Sequence, residues 1–304
     1  MNKLINTIIA DRKQTHAAAA AAAELQGDKT AKDLLDIILN ASESDLSPQY
    51  LRDEIITFMG AGHETTATTT MWTLYELCRH PSILVKLQQE IDGILGNPTS
   101  TDRIEVIIYE NINKFEYLTA VVKESLRLHP PVSMIGRKNL EDYQLGDFVI
   151  RKNSLIGINM LAVHTNPVYW KDPWEYKPER WLDGTKIHPF QYIPFSAGTD
   201  ALTLTHSLTY LLTYLLTYLL THSLTHLLTY FLTHSLTYSL THLCQGGRNC
   251  LGQRFANMEL IVMLGILLSN FDVRMTADQL SSMREEETVV TQPTNLDMIF
   301  TPRC

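Results

Sequence analysis

The sequence predicts a mainly α-helical protein with a small β component. Three observations carry that prediction. Apolar residues at helical spacing fill residues 51–80, 81–98 and 114–129, and the run after Cys250. Only two short runs, 148–150 and 155–158, read as strands, within a strand-like stretch at 132–163. Residues 164–184 form a long irregular segment rich in Pro and Trp. A chain of 304 residues with 45% apolar content suffices for one large domain or two small ones.

Net charge is −8, which gives no basis for a nucleic-acid partner. Cys78, Cys244, Cys250 and Cys304 form no CxxC pair, and four scattered cysteines suit a reducing compartment. The apolar run at the N-terminus is too short for a signal peptide or membrane anchor.

Residues 1–40 read as helical. Ala17–Ala23 is a low-complexity tract of high helix propensity with no long side chain to pack, so it carries no chemistry. The helix over 51–80 has a weak centre, Gly60-Ala-Gly-His-Glu-Thr-Thr-Ala-Thr-Thr-Thr70. Glycines and β-branched threonines both lower helix stability there. Small residues let a ligand lie against the backbone, and a threonine hydroxyl beside a carboxylate can pass protons inward. The plain alternative is a Thr-rich helix packed closely on a neighbour. His63 reads as a polar neighbour rather than a metal ligand.

The next helix stops at Gly96-Asn97-Pro98. In the one over 114–129, Glu124 and Arg127 lie at i and i+3, a pair that on an exposed face is worth little. His129-Pro130-Pro131 ends that helix sharply. The irregular segment must be held by side chains, and Arg180 could hold it by pairing with Glu124.

Cys250 sits between Gly246, Gly247 and Gly252 and just before an apolar helical run through Leu268. A sulfur at a helix start faces unpaired N–H groups and the positive end of the dipole, which favours thiolate. The glycines allow a close approach by something flat or bulky, and Arg248 adds positive charge. A metal-bound thiolate suits this setting, haem iron being one such metal; a buried structural cysteine is the plain alternative. The run reads as a buried helix.

From Leu204 to Leu243 the chain repeats with a period of four, Leu-Thr-His-Ser or Leu-Thr-Tyr-Leu, with no formal charge between Asp200 and Arg248. Polar residues argue against a membrane span, and the period gives no fixed helical stripe. Leu with Thr and Tyr suits β pairing and self-association. Translated microsatellite DNA fits better: a four-base ACTY-type unit recurs every four codons. Residues 199–246 then read as a retained intron whose removal fuses Gly198 with Gly246 and gives Pro194-Phe-Ser-Ala-Gly198 followed by Gly247-Arg-Asn-Cys-Leu-Gly252.

Rejoined, that stretch resembles the Phe-x-x-Gly-x-Arg-x-Cys-x-Gly haem-binding signature of the cytochrome P-450 monooxygenases. Ala61-Gly-His-Glu-Thr-Thr66 resembles the family's oxygen-activation motif. Glu124-Ser-Leu-Arg127 resembles its Glu-x-x-Arg helix, and Pro178-Glu-Arg-Trp181 resembles the segment whose arginine completes a Glu–Arg–Arg cluster. All four stand in the family's order. The resemblance makes the chain a partial domain of roughly the C-terminal half of that fold, interrupted at 199–246. The other half holds the membrane anchor and much of the substrate pocket.

By that resemblance Cys250 is the axial ligand of the iron of haem b (iron protoporphyrin IX). Glu64 and Thr65 deliver protons to dioxygen. Arg137 and Arg248 pair with haem propionates, and Phe195 and Gly252 belong to the haem-binding loop. Glu124, Arg127 and Arg180 lock the structure behind the haem. The implied activity is insertion of one oxygen atom of O2 into a small apolar molecule of the lipid, sterol or xenobiotic class. Electrons come from NADPH through a cytochrome P-450 reductase docking on the Cys250 side, and the full-length member sits on the cytoplasmic face of the endoplasmic reticulum membrane. Two other expectations compete. One is an inactive truncated gene product; the other is a membrane-associated or self-associating protein dominated by its repeat.

Overall fold

A computed structural model describes residues 7, 11, 47–96, 111–198, 249–287 and 290–303. The Ala17–Ala23 tract, nearly all of 1–40, the repeat, Gly246, Gly247 and Arg248 lie outside the described residues. The chain divides into two compact units, Met1–Glu64 and Thr65–Cys304. In the first, Ser47 caps the start of helix α1 (Pro48–Arg79), its Oγ accepting the Tyr50 N–H at 3.2 Å.

The second unit is built on α2 (Pro81–Leu95), α3 (Glu116–Leu128) and α4, a five-residue helix at Met160–His164, followed by the long α5 (Gln253–Asn270). Pro81 opens α2, where its missing N–H costs nothing, and Gly96 ends it at φ 77°. The first N–H groups of α3 are satisfied from outside: Glu90 of α2 accepts from Tyr117 at 2.6 Å and from Leu118 at 2.8 Å. Leu87, Ile91, Leu118, Val121, Leu260, Leu264 and Leu268 form one buried cluster with Leu74 and Leu77 of α1. The Arg303 guanidinium ties the end of the chain to this core through both carboxylate oxygens of Asp92 (3.0 and 2.6 Å) and the Leu268 carbonyl.

The β component consists, among the described residues, of four antiparallel strand pairs. β1 (Met134–Lys138) pairs with β4 (Leu155–Asn159), and between them β2 (Tyr143–Leu145) pairs with β3 (Phe148–Ile150). β5 (Phe271–Arg274) pairs with β8 (Ile299–Pro302), and β6 (Arg284–Glu287) with β7 (Thr291–Thr294). A mainly α fold with a small β component is therefore what the chain adopts.

Two local expectations are corrected. Residues 160–163, read as strand-like, are helical, because Asn159 Oδ1 caps α4 by accepting the Ala162 N–H at 2.8 Å. The apolar run after Cys250 is not buried all round: Leu260, Leu264 and Leu268 are, whereas Phe255 and Met263 are exposed. The Thr-rich centre of α1 lies within the continuous helix, as expected. The Thr69, Thr70 and Thr73 hydroxyls donate to carbonyls four residues back at 2.7–2.9 Å, so their polar groups are met within the helix.

Candidate functional site

Phe195 and Cys250 flank the repeat, and the fold brings them together. The Cys250 N–H donates to the Phe195 carbonyl at 3.0 Å. The segment before it turns tightly: the Ser196 N–H donates to Ile193 O at 3.0 Å, and Ser196 itself adopts φ 66°, a left-handed conformation costly outside glycine. Gly198 follows at φ 145°. After Cys250, the Gln253 N–H donates to the Cys250 carbonyl at 3.3 Å and α5 begins.

The Cys250 thiol is free and exposed. Large apolar side chains next to it are exposed too, Leu251 at 84% and Phe255 at 60%. Gly252 sits at φ −80°, and a methyl there would meet Cys250 Sγ only at an ordinary 3.9 Å. Packing among the described residues thus does not demand glycine at 252. Arg137 on β1 donates from Nη2 to Ser196 Oγ at 3.0 Å, which places a half-buried cation beside the same turn. A cleft of about 220 Å³ lies among Lys123, Tyr192, Phe195, Asn249, Gln253 and Asn257. It is smaller than ordinary ligand pockets, and Cys250 does not line it.

The Glu124–Arg127 pair is wholly buried, where an i,i+3 pair on an exposed face was the plain expectation. Arg127 binds the carboxylate in a fork, Nε to Oε2 at 2.9 Å and Nη2 to Oε1 at 2.8 Å. Arg180 Nε (2.9 Å), the Lys177 N–H (2.9 Å) and Trp181 Nε1 (3.0 Å) complete the shell around Glu124. The guanidinium groups then hold the irregular segment by its carbonyls. Arg127 donates to His164, Pro173 and Glu175, and Arg180 to Lys171, Asp172 and Glu175. Those carbonyls have no ladder to pair with, so the two arginines take the place of secondary structure.

His164 ties this cluster to the turn before Phe195. Its Nε2 accepts the Ile193 N–H at 2.8 Å, so its Nδ1–H faces the Arg127 carbonyl at 3.2 Å. Burial pushes its pKa down to about 4, with the bond to the Arg127 carbonyl opposing and the Arg127 charge assisting. A folded pKa below the ordinary 6.5 means that the unfolded chain binds the proton first. Stability from His164 is therefore complete above pH 6.5 and is lost as pH falls toward 4, by about 3 kcal/mol. Urea melts across that range should show this acid limb, and His164→Gln should flatten it.

A second buried carboxylate was not foreseen from the sequence. Glu76 of α1 accepts from His129 Nε2 at 2.8 Å and from Arg79 at 3.2 Å, and His80 Nδ1 lies 3.3 Å from its Oε2. Burial acts to raise its pKa, but the bonds from His129 and His80 and the charges of His129 and Arg79 outweigh it and hold the value at about 2. His129 read only as a helix terminator, and no local signal marked Glu76.

Thr65 is half-buried on α1, and its carbonyl accepts the Thr69 hydroxyl at 2.9 Å. Glu64 is exposed and belongs to the first unit. Among the described residues no set of three His, Cys, Asp or Glu side chains could hold a metal ion. No helix of the described residues is long and apolar enough to cross a membrane.

A family model described as Cytochrome P450 matches residues 1–200 and 244–300. The chain is 34% identical over 207 residues to "Cytochrome P450 93B16" of Glycine max, covering 64% of this chain and 38% of that protein. It is 39% identical over 175 residues to "Cytochrome P450 4d2" of Drosophila melanogaster (57% and 34%) and 30% identical over 293 residues to "Cytochrome P450 4F8" of Homo sapiens (94% and 46%). The chain thus spans less than half the length of each of these relatives.

Proposed function

Because the chain belongs to the cytochrome P450 family, we propose that it carries the thiolate end of a haem-dependent monooxygenase, with Cys250 as the iron ligand. The observation that supports this best is the Cys250 N–H bond to the Phe195 carbonyl, which joins the two parts of the signature across the repeat. The donor set fits haem b. A soft sulfur stands exposed among exposed apolar side chains, which suits a flat apolar group carrying a soft metal. Bulk against the sulfur would also account for glycine at 252.

Arg137 would hold a carboxylate side group of the haem, with Arg248, which lies outside the described residues, as its counterpart. When bound, haem supplies the oxygen chemistry, and a thiolate ligand favours O–O cleavage. Glu64 and Thr65 of α1 are the proposed proton-delivery residues, the carboxyl as proton source and the hydroxyl as donor. Glu124, Arg127 and Arg180 keep the backbone behind the sulfur rigid. The substrate we propose is a small apolar organic molecule. Electrons come from NADPH through a reductase, and the full-length protein works at the endoplasmic reticulum membrane. Residues 199–246 are an insertion, a reading supported by the gap in the family match over 201–243.

A second reading, an inactive product, is supported by the interruption of the family match inside the haem-binding signature. The reduced, CO-bound spectrum decides between them, recorded on the chain with and without residues 199–246. The expected result is haem uptake with the Soret band of thiolate ligation. No uptake by either form would overturn the proposal.

A further inference from the structure

Thr65, Thr69, Trp72 and Glu76 follow one another at spacings of four, three and four, so they form one stripe along α1. Both ends of that stripe matter. Thr65 is the residue assigned above to proton delivery, and Glu76 lies eleven positions on, about 16 Å along the axis.

The Glu76 end is fastened to other elements. Its carboxylate takes the His129 Nε2 hydrogen bond at 2.8 Å, and His129 is the residue that ends α3, its own N–H bonded to Ser125 O at 2.8 Å. The Trp72 ring lies on the His129 ring with centroids 4.0 Å apart and planes 5° from parallel. Trp72 Nε1 donates to the Thr291 carbonyl at 3.0 Å, and the Thr291 N–H donates to Pro131 O at 2.8 Å. Trp72 and Glu76 are 1% and 2% exposed. They therefore meet α3, the segment after it and β7 at fixed angles around the α1 axis.

We propose that Trp72, Glu76 and His129 form a positioning unit that sets the rotation of α1 and thereby aims the Thr65 hydroxyl. Neither Trp72 nor Glu76 acts on the reaction directly. The leverage is geometric: turning a helix by about 20° moves a side-chain atom some 5 Å from its axis by about 1.7 Å. A misplacement of about 1 Å can cost on the order of a hundredfold in rate. A buried carboxylate holds its angle because leaving its partners would strand a charge. The stacked ring pair resists tilt as well as rotation. The proposal rests on the proton-delivery reading of Thr65 for its functional consequence, but the anchoring itself does not.

The test uses the full chain and three variants: Glu76→Gln, which keeps volume and removes charge, Thr65→Ala, and the two together. In haem-loaded protein, Glu76→Gln should lower product formed per O2 consumed by about tenfold, toward the Thr65→Ala value. Haem content and the reduced CO-bound spectrum should stay unchanged, and the double variant should be no worse than Thr65→Ala alone. Multiplicative losses in the double variant would overturn the proposal. In haem-loaded or haem-free protein, the Thr65 methyl resonance should shift in Glu76→Gln while methyl resonances of α5 leucines stay in place. An unmoved Thr65 methyl would overturn the proposal whatever the turnover data say. If Thr65→Ala instead leaves coupling intact, the proton-delivery reading fails, and the methyl shift alone still decides whether Glu76 sets the helix.

Discussion

If Cys250 is the iron ligand as proposed, Cys250→Ser is expected to abolish thiolate ligation and, with it, any oxygenase activity. A serine hydroxyl is neither soft nor anionic near neutral pH, so it cannot replace sulfur on haem iron. The fold should not notice the change. The thiol is exposed and free, and the contact that organises the turn comes from the Cys250 backbone N–H to Phe195 O, which serine retains. Global stability should therefore move by no more than about 0.5 kcal/mol. The expected pattern is a folded chain lacking the thiolate Soret band and turnover. A reduced CO-bound spectrum unchanged from that of the parent would refute Cys250 as the ligand.

The second large effect is on stability. Glu124→Ala leaves Arg127 with its charge uncompensated in a site from which water is excluded. It also strips Arg180, the Lys177 N–H and Trp181 Nε1 of their shared acceptor. Breaking a buried pair from one side costs about 3–5 kcal/mol. That is a large share of the roughly 5–15 kcal/mol that holds a domain together. The urea midpoint should fall accordingly, and 164–184 should become the most protease-sensitive part of the chain. Arg127→Lys should recover little, since an ammonium cannot fork onto the carboxylate and still reach the carbonyls of His164, Pro173 and Glu175. A loss below about 1 kcal/mol for Glu124→Ala would show that the cluster does not carry this weight.

Much of this was legible in the sequence where the signal is local. Helix limits at Pro81, Gly96 and His129-Pro130 follow from backbone chemistry, and the structure keeps them within a residue or two. The pairing of Arg180 with Glu124 was also readable, because an irregular segment of that length needs side chains to hold it. Burial was not readable. Glu124 and Arg127 would look the same on a solvated face, and what removes them from water is Trp181, Lys177 and a set of carbonyls far along the chain. Glu76 escaped for the same reason, since its partner His129 is 53 positions away and looked fully explained as a helix end. The Asn159 cap was a local signal and was missed in favour of strand propensity. The exposed Phe255 and Met263 show the converse, apolar residues that the described residues leave uncovered.

The hydrogen bond between Cys250 and Phe195 has a consequence for chain entropy. On the proposed reading of 199–246 as an insertion, the ring it closes is roughly eight times longer than the uninterrupted one, and three doublings of a loop cost only about 2 kcal/mol. A folded domain absorbs that much. The two ends of the signature can then stay joined in polypeptides carrying repeats of quite different lengths, and gain or loss of four-residue units would leave the setting of the sulfur unchanged.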